Sequence, residues 1–249
     1  MPNKFARSKI WLGSGILAAV AAVIAGVAFL SGKDLQEPTA TVKLAVPVHH
    51  QEHRLSCEAA ALQMALAFYG IPVKESDLIA QMSFDQTPKS GDVWGDPQLG
   101  FVGSIDGQML DTGYGIYWNP IAHLANHWAG SKVLYQSSAE ELSQNIADGH
   151  PTVVWGFAGR GHKTSWMTPA GKRIDAVNGE HTRIVVGFTG PVTNPDGFFV
   201  IDPVFGPQYW GRDSFLDNWD AFDRSGVVVL PPMPKAPKAP KAPTTRTKS

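Results

Sequence analysis

Residues 46–69 read VPVHHQEHRLSCEAAALQMALAFY, and this stretch decides the fold. Its second half, Cys57 to Tyr69, is rich in Ala, Leu and Met, with Ser56 ahead of it as a candidate N-cap and Gly70 then Pro72 as the stop. The apolar character is nearly continuous, so the spacing predicts a central, buried helix. Cys57 falls in its first turn, where unpaired N–H groups and the positive helix end favour a thiolate. It is also the single cysteine of the chain, which excludes an internal disulfide and a thiolate metal cluster. A lone cysteine is by default a small buried hydrophobe, so its surroundings must decide its role.

Outward from that helix the pattern changes halfway along the chain. Further helices are expected at Glu75 to Met82, Pro120 to Trp128 and Ala139 to Asp148, with a Gly-rich stretch from Gly91 to Gly115 that could border a cleft. After Gly149 come apolar runs rich in β-branched residues: Thr152 to Phe157, Thr182 to Phe188, Phe198 to Ile201 and Val227 to Leu230. Helices first and strands second imply an α+β fold in one domain, residues 42–232.

The ends have other compositions. Ile10 to Leu30 is 21 residues without a charge, preceded by Lys4, Arg7 and Lys9. That is long enough to span a bilayer, and the basic flank puts residues 1–9 on the cytoplasmic side and the body outside. The expected arrangement is a single-pass anchor at 10–30, with secretion after signal cleavage near Gly26-Val27-Ala28 as the alternative. Residues 31–41 read as a polar linker. Residues 233–249 repeat Lys-Ala-Pro three times and are expected to be a disordered, extended tail able to touch cell-wall polymer or anionic lipid. The net charge of -1 hides basic ends around an acidic body, since the body keeps 13 basic against 22 acidic residues. That balance excludes a nucleic-acid partner.

Cys57 has candidate partners. Gln51 lies six residues before it, and an amide there can donate to a developing oxyanion. His181, in GEHTRIVVGF, stands at the mouth of an apolar strand, where it can share the thiol proton. Asp202, in FFVIDP, ends the next strand. If the two strands are antiparallel neighbours, the ring and the carboxylate can meet.

The order Gln, Cys, His, Asp in these contexts resembles the double-glycine leader peptidases and their wider relatives, over roughly Val46 to Val229. The matching features are a Gln six residues before a Cys that opens an Ala-rich helix, then Gly-x-His before a strand, then strand-Asp-Pro. The resemblance implies a papain-like cysteine peptidase, its central helix packed on an antiparallel sheet. It also implies Cys57 as nucleophile, His181 as base, Asp202 as orienting group, Gln51 at the oxyanion and a peptide or protein as substrate. Glu58 stands where many members have Gly, and a carboxylate pointing inward there would oppose thiolate formation. The chain has no G-x-x-x-x-G-K-[ST] loop, so the exporter ATPase fused to many members has no counterpart here.

Other readings compete. His49, His50 and His53 crowd the approach to Cys57, but without an H-E-x-x-H motif no metal or cofactor is expected. His123 and His127 are spaced to share one helix face, and His162, in a Gly-rich loop, is the rival general base. Trp94, Trp118, Trp155, Trp166 and Trp210 could line a peptide groove or fill the core. The same triad could serve an amidase or acyltransferase acting on cell-wall peptides, and a silent scaffold could act as a binding module.

Overall fold

Cys57–Phe68 forms α1, and its end follows from two residues. Gly70 adopts φ +72°, its N–H reaches the Ala67 carbonyl, and the N–H of Ile71 reaches that of Leu66, a Schellman closure that glycine makes without strain. Pro72 then prevents continuation. At the other end Ser56 flanks the helix without capping it, because its hydroxyl is bonded to the backbone of His53. Ala59, Ala60, Ala61, Leu62, Met64, Ala65 and Leu66 are wholly enclosed, as expected of a central helix.

This computed structural model describes residues 41–232. The expected cytoplasmic N-terminus (1–9), membrane anchor (10–30), linker up to residue 40 and tail (233–249) lie outside the described residues. Among the described residues no helix is long and apolar enough to cross a membrane.

In chain order the elements are β1 (Val42–Lys43), α1, α2 (Glu75–Gln81), β2 (Phe84–Asp85), β3 (Phe101–Val102), α3 (Trp118–Ala125), β4 (Gly130–Leu134) and α4 (Ala139–Ala147). There follow β5 (Thr152–Met167), β6 (Arg173–Thr189), β7 (Gly197–Asp202), β8 (Gly206–Gly211), α5 (Arg212–Asp220) and β9 (Gly226–Leu230). The main sheet runs β4-β9-β5-β6-β7-β8, with β1 also on β6, and each of its pairings is antiparallel. The architecture is therefore mixed α and β, as expected.

Side-chain alternation splits the sheet between two cores. Val153, Trp155, Ile184, Val186, Phe199 and Ile201 join the core that holds α1 and α3. Val154, Val185, Phe188, Phe198, Val200 and Val228 pack with α4 and α5 on the other face. Strands covered on both faces carry continuous apolar runs, which is why these four were legible.

The structure adds elements the sequence reading did not expect, the short strands β1, β2 and β3 together with β4, β8 and α5, and it shifts others. The hairpin β5–β6 extends to Met167 and Arg173, because Thr, Ser and Lys alternate with Trp166, Ile174 and Ala176 in a half-solvated arm. His162 consequently lies on a strand, paired with Asn178, and not in a loop. The third helix begins at Trp118, two residues earlier than expected, which places Pro120 in the first turn where its missing N–H costs nothing, and it ends at Ala125, three residues before the expected Trp128.

Trp155 is fully enclosed, and its Nε1–H donates to the Ile116 carbonyl at 2.9 Å, tying the sheet to the segment that leads into α3. Trp155→Ala should therefore lower unfolding free energy by about 3–5 kcal/mol in urea titration.

Candidate active site

Helix α1 packs on β6, the strand that carries His181. The N–H of Thr182, the residue after His181, points at the Cys57 sulfur. Strand β7 no longer pairs at this level: its register with β6 begins at Ile184↔Ile201, so the edge of β6 around residues 181 and 182 is left for the helix. Cys57 and His181 are both nearly enclosed, at 4% and 6% exposure.

On the imidazole side the expected pairing forms. His181 Nε2 lies 3.0 Å from Asp202 Oδ1, which leaves Nδ1 outside that contact. The same Asp202 oxygen accepts the N–H groups of Val204 and Phe205, at 2.8 and 3.2 Å, because the chain turns sharply after Pro203. Asp202 Oδ2 accepts from Arg183 Nε at 2.8 Å. Burial raises the Asp202 pKa, but the hydrogen bonds and the His181 and Arg183 charges outweigh it and hold the carboxylate well below its usual range.

Arg183 and Glu180 are residues of this site that sequence reading missed. The Arg183 guanidinium lies over the Trp210 ring at 4.7 Å and reaches the Phe157 carbonyl and Asn218. A signal was available, since an arginine inside the apolar run TRIVVGF requires a buried partner.

On the thiol side the geometry reverses the expectation drawn from the helix end. Sγ donates to Glu58 Oε2 at 3.4 Å, and Glu58 is buried. Glu58 does point inward, and Glu180 approaches the same space. Burial first, then the Glu58 and Glu180 charges, push the Cys57 thiol well up. Burial likewise pushes Glu58 up to about 7, against the bond it accepts from the Ile116 N–H at 2.8 Å.

Gln51 also stands differently from its expected role. Both its amide hydrogens are committed, Nε2 donating to the carbonyls of His53 at 2.7 Å and Arg54 at 3.0 Å, while Oε1 is buried without a partner. An amide has two N–H donors, so in this state neither is left for an oxyanion. Its loop is held from behind: Glu75 accepts from His49 at 2.7 Å and from the Glu52 N–H, and the Gln51 N–H bonds the Pro203 carbonyl.

The remaining histidines separate. His49 pairs with Glu75, His50 with the Pro203 carbonyl and His53 with Asp106. His123 and His127 are exposed neighbours with ring centroids 5.7 Å apart, but the helix ends at Ala125, so His127 lies beyond it and the expected shared helix face does not form; His162 is exposed. His49, Glu52 and Glu75 bring ligand atoms within 4.8 Å of one another, with His49 hydrogen-bonded to Glu75 and the Glu52 carboxylate 4.0 Å from His49 Nε2.

The Gly-rich stretch folds over the start of α1. Leu55 N–H bonds the Ile105 carbonyl, and Ile116 holds Glu58. Beyond it, two cavities of about 480 and 500 Å³ share Tyr117, Trp118, Arg173, Asp175 and Asp223. Trp94, Trp118, Trp155 and Trp166 are buried, so the core reading of these tryptophans holds for four of the five.

The model of the Peptidase_C39 like family matches residues 43–227. The uncharacterized protein YvpB of Bacillus subtilis (strain 168) is 29% identical over 182 residues, which is 70% of this chain and 68% of that protein. The crystal structure of a putative C39-like peptidase from Bacillus anthracis superimposes with a TM-score of 0.67 at 25% identity, covering 76% of this chain and 96% of that one.

The Arg183–Asp202 pair yields a prediction. Arg183→Met leaves a buried carboxylate without its cation, and the variant should lose about 3–5 kcal/mol of stability at pH 7 in urea titration. A depressed native pKa contributes stability above the unfolded value of 3.8 and loses it as pH falls further. The gap between variant and parent should accordingly narrow below about pH 4.

Proposed function

Because the chain belongs to the Peptidase_C39 like family, we propose that it is a cysteine peptidase in which Cys57, His181 and Asp202 form the catalytic triad. The observation that carries this reading is the buried His181–Asp202 hydrogen bond on the strand against which the Cys57 sulfur is set.

In the proposed reaction His181 Nδ1 takes the Cys57 proton and the sulfur attacks a peptide carbonyl carbon. Asp202 fixes the ring through Nε2 and stabilises the imidazolium. The tetrahedral oxyanion is met by the Cys57 backbone N–H, which at the first position of α1 has no intrahelical acceptor. Gln51 joins it once its amide turns away from the His53 and Arg54 carbonyls. The intermediate collapses as the amine departs with the proton from His181, leaving a thioester on Cys57. Water, deprotonated by His181, then hydrolyses the thioester and restores the thiol.

In this reading residues 10–30 anchor the chain in the cell membrane and 42–232 act outside it, supported by the uncharged run and the basic residues before it. The Lys-Ala-Pro tail contacts anionic polymer or lipid at the same surface.

The test uses the full chain in detergent with a thiol-directed activity probe. Labelling should map to Cys57 and fall by about two orders of magnitude or more in His181→Ala, the range expected when a general base is removed. Absence of labelling across pH 5–9, or equal labelling of the variant, contradicts the reading. Parallel turnover of linear peptides and of cell-wall peptides separates a peptidase from an amidase or acyltransferase with the same triad.

A further inference from the structure

Two carboxyl groups that the proposed reaction does not use lie against its nucleophile. Glu58 and Glu180 are 1% and 4% exposed and come from different elements, α1 and β6. The Cys57 thiol donates to Glu58 Oε2 at 3.4 Å. The sulfur and one oxygen from each carboxyl lie within 4.8 Å of one another. Gly115 closes the space: a Cβ there would stand 2.8 Å from Glu58 Oε1 and 2.5 Å from Glu180 Oε2. Glycine is what lets both carboxyls reach the sulfur from opposite elements.

Charge compensation is scarce in this space. Glu58 Oε1 accepts the Ile116 N–H, and Glu180 Oε1 accepts the Thr182 hydroxyl at 3.3 Å. Among the described residues no Lys, Arg or His makes an ion pair within 4.0 Å of either carboxyl. Arg183 acts on Glu180 from further along β6 but is committed to Asp202, as is His181. Tyr114 and Tyr117, the other titratable groups that interact with Glu180, are kept neutral by burial. Two carboxylates placed so close and so dry do not both ionise near neutrality, and the pair retains a proton.

We propose that Glu58 and Glu180 are positioning residues for Cys57, a one-proton carboxyl pair that holds the nucleophile as a hydrogen-bonded thiol and sets the pH at which it becomes reactive. The inference rests on Cys57 as nucleophile but not on peptide hydrolysis. The proton count is fixed: below the transition the thiol keeps its own proton and the pair keeps one, so the cluster carries a single negative charge. Ionising the sulfur adds a second negative charge in the same dry space, and that is the restraint. Substituting both carboxyls by amides removes the charge and the strong S–H acceptor together. Thiol ionisation becomes easier, while the amide introduced by Glu58→Gln still offers an oxygen to the Ile116 N–H.

The experiment measures alkylation of Cys57 by iodoacetamide against pH in the full chain, for the parent, Glu58→Gln, Glu180→Gln and the double variant. The midpoint, not the amplitude, is the readout, because access to the buried sulfur alters amplitude alone. The double variant should react with a midpoint at least one pH unit lower, which is about tenfold faster at any pH below both midpoints. Infrared spectra of the parent at pH 7 should show a protonated carboxyl band that is absent from the double variant. A midpoint unchanged in the double variant overturns the proposal. If the double variant does not fold, the infrared spectrum of the parent decides, and a parent without a protonated carboxyl at pH 7 overturns the proposal equally. Peptide turnover enters neither measurement, so failure of the peptidase reading and failure of this one remain distinguishable.

Discussion

The Asp202 carboxylate, sealed between β6 and β7 with no exposed surface, is the constraint on which the site depends. A buried charge is tolerable only when its lone pairs are satisfied. Here one oxygen takes His181 and two N–H groups of the following turn, and the other takes Arg183. The register of β6 on β7, the turn after Pro203 and the orientation of the imidazole are thereby fixed together. Shifting β6 by one residue would turn His181 and Arg183 to the other face of the sheet and leave Asp202 unpaired. Arg183 carries the constraint outward through Trp210, Asn218 and the Phe157 carbonyl, so the ring is held by four elements, β5, β7, β8 and α5, besides its own strand.

Cys57 faces a different balance. A helix N-terminus lowers a thiol pKa by an interaction of about 0.3–1 kcal/mol, less than one pH unit. Full burial opposes ionisation by up to about 3–5 units, and like charges add to it. Burial and the two carboxyls therefore win at Cys57, and its thiol lies well above the usual range although it opens a helix. The structure describes a buried thiol bonded to Glu58, a His181–Asp202 pair in place, and Gln51 donors that are occupied.

Much of this was legible because it rests on local pattern. The Ala-rich run with Gly70 and Pro72 behind it marks α1, and apolar runs mark the four strands covered on both faces. His181 and Asp202 could be paired on the condition that their strands are antiparallel neighbours, and they are. What stayed hidden depends on where distant side chains end up. Glu58 has one meaning if it faces solvent and the opposite if it faces sulfur, and its spacing from Cys57 does not choose between them. Glu180 reads as an ordinary residue before a histidine until the fold sets it beside Gly115. The outer hairpin of β5 and β6 was missed because a half-solvated arm with several glycines resembles a loop in sequence. Gln51 was read as an available donor because no pattern reveals that the backbone of its own loop accepts both amide hydrogens.

The central claim is that Cys57 carries an acyl group during turnover. The direct measurement is intact-mass and peptide-mapping mass spectrometry of the full chain, quenched in acid while it turns over an activated peptide ester. The account predicts a mass increase equal to the acyl portion, located on the peptide that contains Cys57 and absent from Cys57→Ala. Turnover without an adduct at Cys57, or turnover that persists in Cys57→Ala, would contradict it.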